Sequence, residues 1–268
     1  MYRRVAHQTR RWQRALVTGA SSGIGWETAI LLAAEGTELV IVARDRQRLE
    51  QLATLVNVPC EVLIADLGNA AQLASVEARL RAEPFIDLLV NNAGFGFSGR
   101  FDQMDIDRET SVIEVNVTAV TRLSHAAAAA MVGRSGRRSI LNVSSLAGFI
   151  PAASSATYGA TKAFVTSFSQ ALHEELKGEG IVVTALCPGF TRTEFQQRAN
   201  AMTEASKIPD RLWQSARDVV QAGLDGVAAN KAIVVPGLHN KAAAGLASAL
   251  PKGALRRIIG AGAKTRSK

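Results

Sequence analysis

Short apolar runs and longer segments of helical period take turns along this chain. "RALVTGA" (14–20), "ELVIVAR" (38–44), "CEVLIADL" (60–67), "IDLLVNNAG" (86–94), "SILNVSS" (139–145), "IVVTALCPG" (181–189) and "KAIVVPG" (231–237) read as strands. Between them lie "GIGWETAILLAAEG" (23–36), "DRQRLEQLATLV" (45–56), a segment near 69–82, a long one near 106–132 and "TYGATKAFVTSFSQALHEELKGEG" (157–180), which read as helices. Runs this apolar belong to strands covered on both faces. Right-handed crossovers then close them into a doubly wound parallel sheet, an α/β fold of seven strands in a single domain. Ligands of such sheets bind beyond the carboxyl ends of the strands. "TGASSGIG", "AR", "ADL", "NNAG", "VSS" and "CPG" all fall at those ends.

Composition supports this frame and narrows the partners. Hydrophobic residues make up 47% of the 268, and aromatics only 5%, so aliphatic side chains must fill the core. The two cysteines, Cys60 and Cys187, form no framework and no CxxC pair, and no group has metal-ligand spacing, so no metal site is expected. Without a secretory h-region or an apolar run long enough to span a bilayer, a cytoplasmic setting is expected. The net charge of +8 is uneven: residues 1–14 and 241–268 hold twelve Lys or Arg and no acid, which leaves 15–240 at −4. An acidic body argues against nucleic acid as partner. The ends divide the chain into a basic arm (1–13), the α/β domain (14–237) and a basic extension (238–268). The extension is equally consistent with peripheral contact on an anionic membrane, with cover for an oligomer face, and with a lid on a pocket.

Gly19, Gly23 and Gly25 stand between the first strand and the first helix. Such a turn lets backbone approach a pyrophosphate at a helix N-terminus. The spacing is not GxGxxG, and no lysine follows as in a Walker loop. The second strand closes on Arg44, where an acid would bind free ribose hydroxyls. A guanidinium there pairs with a 2′-phosphate, so NADPH (NADP+) is expected over NADH. Asp45 follows as a competing acid or a helix cap.

Tyr158 and Lys162 lie one turn apart on one helix face. An ammonium beside a phenol favours the phenolate and draws its pKa down from about 10, suiting proton exchange with an alcohol oxygen. Ser145, at the end of the preceding strand, can steady the same oxygen. Asn116, flanked by valines in "VIEVNVTAV", needs a reason to be buried, and a relay water near Lys162 is one. "GFGFSGRF" (94–101), "AGFIPAAS" (147–154) and "FTRTEFQQ" (190–197) would supply an apolar pocket for a lipophilic carbonyl compound, though the same phenylalanines would also serve as core.

These elements resemble the short-chain dehydrogenase/reductase family: TGxxxGxG as "TGASSGIG", NNAG at 91–94, Asn116, Ser145 thirteen residues before Tyr158, YxxxK as "YGATK", and PG at 188–189. The resemblance covers 14 to 237. It implies a Rossmann-type fold and hydride transfer with Asn116, Ser145, Tyr158 and Lys162 as catalytic tetrad. It carries cofactor contacts to Gly19, Ser21, Ser22, Gly23, Ile24 and Gly25. It places Asp66 at the adenine and Asn92 on the adenosine half. Lys162 would bond the nicotinamide ribose, and Gly189 and Thr193 would flank the carboxamide, with Leu67, Ala93, Gly94, Pro188 and Thr191 as further cofactor contacts. Family members commonly form dimers or tetramers through their two long central helices. Many NADPH users carry a basic residue where this chain has Ser22, so phosphate selection falls to Arg44. The C-terminal stretch is similar to a branch that includes actinobacterial ketoacyl reductases, which implies a 3-oxoacyl ester or thioester. A steroid, sugar or xenobiotic alcohol or ketone is the alternative substrate, and a cofactor-binding regulator without turnover the alternative of another class.

Overall fold

In the computed structural model, which describes residues 10–151, 153–199, 202, 206 and 208–250, the apolar runs pair side by side. The strands are β1 (Arg14–Thr18), β2 (Glu38–Ala43), β3 (Cys60–Ile64), β4 (Leu88–Asn91), β5 (Arg138–Val143), β6 (Ile181–Leu186), β7 (Thr191–Arg192), β8 (Gln214–Ser215) and β9 (Ile233–Val234). Seven form one parallel sheet in the order β3-β2-β1-β4-β5-β6-β9. The last predicted strand is thus real but shortened to two residues, since Pro236 and Gly237 close it. β7 and β8 make a small separate pair that the sequence pattern does not announce.

The helices are α1 (Gly23–Ala34), α2 (Arg46–Leu55), α3 (Ala70–Arg81), α4 (Ile106–Ile113), α5 (Val120–Met131), α6 (Ala156–Leu176), α7 (Phe195–Arg198), α8 (Ala216–Ala228) and α9 (Leu238–Ala249). They cover both faces of the sheet. Along β1, Val17 joins a core cluster with Ile41, Val90, Leu32 and Leu224, while its neighbour Leu16 joins the opposite one with Val40, Leu89, Val76 and Leu123. The period of two in strand side chains thus loads each face in turn.

Val17 is in register with Ile41 on one side and Val90 on the other. From β1 the chain works outward to β3, then returns to β4 and works the other way. The crevice opens at the carboxyl ends of β1 and β4, where the order reverses.

Two expectations need correction. The long helix near 106–132 is not uniformly α: Glu114–Ala119, between α4 and α5, form a π-helical turn. Asn116 is its fully buried polar residue, and the widened turn lets its side chain face inward. The basic arm also ends earlier than its charge pattern implied. Trp12 is 1% exposed and its indole donates to Ser139 Oγ at 3.2 Å, while Arg11 pairs with Glu35 and with Asp225 at 2.8 Å. Burial of one indole and pairing of one guanidinium tie residues 10–13 to the body. Residues 1–9 and 251–268, including Pro251 and most of the stretch assigned to membrane contact, lie outside the described residues. Among the described residues no helix is long and apolar enough to cross a membrane.

Candidate active site

The glycine turn is built by close approach. Gly19 and Gly23 have φ of +66° and +55°, in the left-handed region that glycine tolerates. A Cβ on Gly25 would lie 2.3 Å from the Gly19 carbonyl oxygen and 2.4 Å from Asn92 Nδ2. Asn92 Nδ2 donates to the carbonyls of Thr18 (2.9 Å) and Gly19 (3.2 Å), and the Thr18 hydroxyl accepts from the N–H groups of Asn92 and Ala93, both at 3.0 Å. The Asn92 amide therefore locks the turn after β1 to the turn after β4. Helices α2, α3 and α4 begin under side-chain caps from Asp45, Asn69 and Asp105. Ser22 precedes α1 in extended backbone and makes no such cap, so the N–H groups at Gly23, Ile24 and Gly25 have no side-chain oxygen over them. A narrow turn that excludes any Cβ, ending in uncapped N–H groups, fits a pyrophosphate.

Arg44 extends from the end of β2, 72% exposed, with Nη1 3.6 Å from Asp66 Oδ2. An exposed pair of this kind is weak, which leaves the guanidinium available to a phosphate. Asp45 caps α2 by accepting from Arg48 N at 3.0 Å, which gives this acid a structural role of its own. Asp66 accepts from Gly68 N at 3.0 Å at the end of β3. Leu67 turns its side chain into the core, so only its backbone can line this end. Sequence reasoning missed Arg48, whose Nη2 lies 3.0 Å from Glu194 Oε1 and ties α2 to the segment after β7.

The serine, tyrosine and lysine that the sequence singled out meet where β5 ends and α6 begins. Ser144 is buried, with its hydroxyl bonded to Lys162 O and to Thr166 Oγ1, both at 2.7 Å. Ser145 accepts from Ala147 N at 3.1 Å, and its hydroxyl stands near enough to Tyr158 to act on the phenol. The two neighbours are thus separated by strand alternation: one anchors α6 and the other faces the cleft. Lys162, 5% exposed, donates from Nζ to Val143 O at 2.9 Å, and stands 5.7 Å from the centre of the Tyr158 ring.

Electrostatics correct one expectation here. Tyr158 keeps part of its surface open to the cleft, yet burial pushes its pKa up to about 12, with the Ser145 hydroxyl pulling the other way. Burial also brings Lys162 down to about 8. Burial therefore favours a neutral phenol over a phenolate, since desolvation outweighs the pull of the Ser145 hydroxyl.

Asn116 anchors the loop after β4. Its Nδ2 donates to Phe95 O (2.9 Å) and Thr161 Oγ1 (3.0 Å), and its Oδ1 accepts from Phe95 N (3.1 Å). Both Nδ2 donors are thus engaged by protein, so a relay water would have to meet Oδ1 or another atom of this turn. A Cβ on Gly94 would lie 2.9 Å from Asn116 Oδ1 and 3.3 Å from Lys162 Nζ. A Cβ on Gly96 would strike the Tyr158 side chain at 2.5 Å, a contact no sequence motif signals. Opposite, Thr193 sits with Cγ2 3.0 Å from the Cβ position of Gly23. Thr191 is buried and donates to Gly189 O at 3.1 Å. The loops after β1, β4, β5 and β6 thus converge on one crevice.

A family model described as short chain dehydrogenase matches residues 13–204. The chain belongs to the short-chain dehydrogenase family. Members are NAD(P)-dependent oxidoreductases, and the oxidoreductase assignment applies to this chain. It is similar to a short-chain dehydrogenase from Sphingobium yanoikuyae in complex with NADPH, at 40% identity and a TM-score of 0.79, covering 89% of this chain and 96% of that one. It also matches a bulky-bulky ketone specific alcohol dehydrogenase from Comamonas testosteroni, at 38% identity and 0.75, over 90% and 95% of the two chains. An uncharacterized oxidoreductase of Staphylococcus epidermidis is 32% identical over 209 residues, 78% of this chain and 87% of its own.

Within this short-chain dehydrogenase, aromatic rings border the tyrosine. Phe195 lies 5.5 Å from the Tyr158 ring, and Phe95 packs edge-on to Phe97 at 5.6 Å. Phe190 is 44% exposed and packs on Trp213 at 5.7 Å. The pocket phenylalanines are therefore only partly core.

Proposed function

We propose that this protein reduces a lipophilic ketone to a secondary alcohol with NADPH. The observation that carries the reading is the Ser145–Tyr158–Lys162 cluster at the carboxyl edge of the sheet, with Phe195 against the tyrosine. When bound, NADPH supplies the hydride. Ser145 would orient the carbonyl oxygen by hydrogen bonding, and Tyr158 would give that oxygen its proton. A neutral phenol carries the proton that the reduction consumes. Lys162, held between the ends of β4 and β5, would hold a ribose hydroxyl. Gly19, Ser21, Ser22, Gly23, Ile24 and Gly25 would cradle the pyrophosphate, and Arg44 the 2′-phosphate.

Arg44 gives a direct test of cofactor choice. Arg44→Ala is expected to weaken NADPH binding about tenfold, the loss of one charge-assisted contact, and to leave NADH within about twofold. Fluorescence titration of both nucleotides measures it; equal weakening would remove Arg44 from the phosphate site.

For the substrate, a 3-oxoacyl ester or thioester is the first reading, supported by the apolar pocket wall. A ketone flanked by two bulky groups is the second, favoured by the relative from Comamonas testosteroni. NADPH consumption should rise with acyl chain length under the first. Under the second it should be highest with diaryl or cyclic ketones and flat across acyl length. No turnover on either panel with tight NADPH binding would favour the regulator.

A shallow apolar groove of about 430 Å³ runs between α4, the π turn and α6, lined by Ile113, Val117, Ala156 and Ala160 among others. Ile113 is 45% exposed and Phe164, further along α6, 38%. We propose a second copy of the chain as its partner. Light scattering at twice 28.4 kDa, or a multiple of that, is the expected reading.

A further inference from the structure

The C-terminal helix carries a buried polar residue that the oxidoreductase reading does not use. Asn240, on the first turn of α9, is 3% exposed. Its Nδ2 donates to Gln214 Oε1 at 2.8 Å and to Pro236 O at 2.9 Å. A Cβ on Gly189 would lie 2.5 Å from both Nδ2 and Oδ1 of Asn240, so the amide presses directly on the Pro188–Gly189 turn. Gln214 belongs to β8, pairs in register with Thr191 of β7, and donates its backbone N–H to Phe190 O at 2.9 Å. Gly237, with φ of +82°, leaves room for the Gln214 side chain, whose Nε2 would otherwise stand 2.8 Å from a Cβ. One amide therefore fixes α9, β8 and the turn after β6 to each other. The segment so fixed runs through Thr191 to Thr193, which rests on Gly23.

We infer that Asn240 and Gln214 are positioning residues, and that α9 is a brace setting the 188–193 segment against the nicotinamide half of the cofactor site. The inference rests on the reading that this segment lines that half. A basic tail would not need an asparagine buried this deeply with its donors satisfied. A buried amide is retained where loss of its partners leaves polar groups unpaired. Here the groups that would be left are Pro236 O and Gln214 Oε1, the latter on the strand that pairs with Thr191 of the loop that meets the cofactor.

The experiment uses the full chain and two ligands, NADPH and adenosine 2′,5′-bisphosphate, which lacks the nicotinamide half. Asn240→Asp keeps the shape and removes the Nδ2 donor. At pH 8 it is expected to weaken NADPH about tenfold and leave the bisphosphate within about twofold. Gln214→Met removes the acceptor and should act likewise, whereas Gln214→Glu keeps an acceptor of the same length and should bind NADPH as the wild type does. If Asn240→Asp does not fold, the contrast between Gln214→Met and Gln214→Glu carries the test. Equal weakening of both ligands, or no weakening of either, would overturn the brace. A wild-type chain that binds NADPH no more tightly than the bisphosphate would instead show that the nicotinamide half is not read by this segment.

Discussion

Tyr158→Phe is expected to lower ketone reduction by about 10²–10⁴-fold while NADPH affinity stays within about twofold. The substitution removes one oxygen and keeps the ring, so the packing against Phe195 and over Gly96 survives. The lost group is the proton donor itself. Stopped-flow turnover beside fluorescence titration separates the two effects, and retention of more than a tenth of the activity would sink the assignment. Lys162 adds a pH signature. Its ordinary pKa of 10.5 is lowered to about 8 by burial, so the ammonium is lost as pH rises through 8. Reductive turnover should therefore hold to about pH 8 and decline above it. Stability should run the other way. Between about 8 and 10.5 the unfolded lysine binds more protons than the folded one, so this residue's penalty is full below 8 and relieved as pH rises. Thermal melts and rates across that interval should diverge.

Gly25→Ala should be the most damaging conservative change in the nucleotide half. The new methyl would sit 2.3 Å from a backbone oxygen and 2.4 Å from an amide already bonded to Thr18. Neither neighbour is the free end of a flexible side chain, so α1 or the turn after β4 must move. Overpacking of this kind costs about 1–3 kcal/mol, and the displaced N–H groups should weaken NADPH at least about tenfold. Gly178→Ala is the control, since a Cβ there meets nothing within 4 Å. It should melt and bind as the wild type does. Unchanged NADPH affinity in Gly25→Ala would show that the glycine turn is only a tight connection.

The sequence by itself determined what depends on local pattern. Apolar runs such as "ELVIVA" and the period of two within them set the strands, and their polar ends marked the edge where ligands bind. Tyr158 and Lys162 could be paired because four residues on a helix define one face. Asn116 stood out because its neighbours are valines, although nothing local announced the π turn or its bonds to Phe95 and Thr161. Spacing to Tyr158 singled out Ser145, but only the tertiary structure showed what Ser144 does, bonding Lys162 O and Thr166 where β5 meets α6. It alone placed Gly96 under Tyr158, Trp12 beside Ser139, and Asn240 against Gly189. It also reversed the direction of the tyrosine's pKa. Side-chain pairing at four residues is written in the chain, but desolvation is a property of the surrounding atoms, brought from elements far apart in sequence.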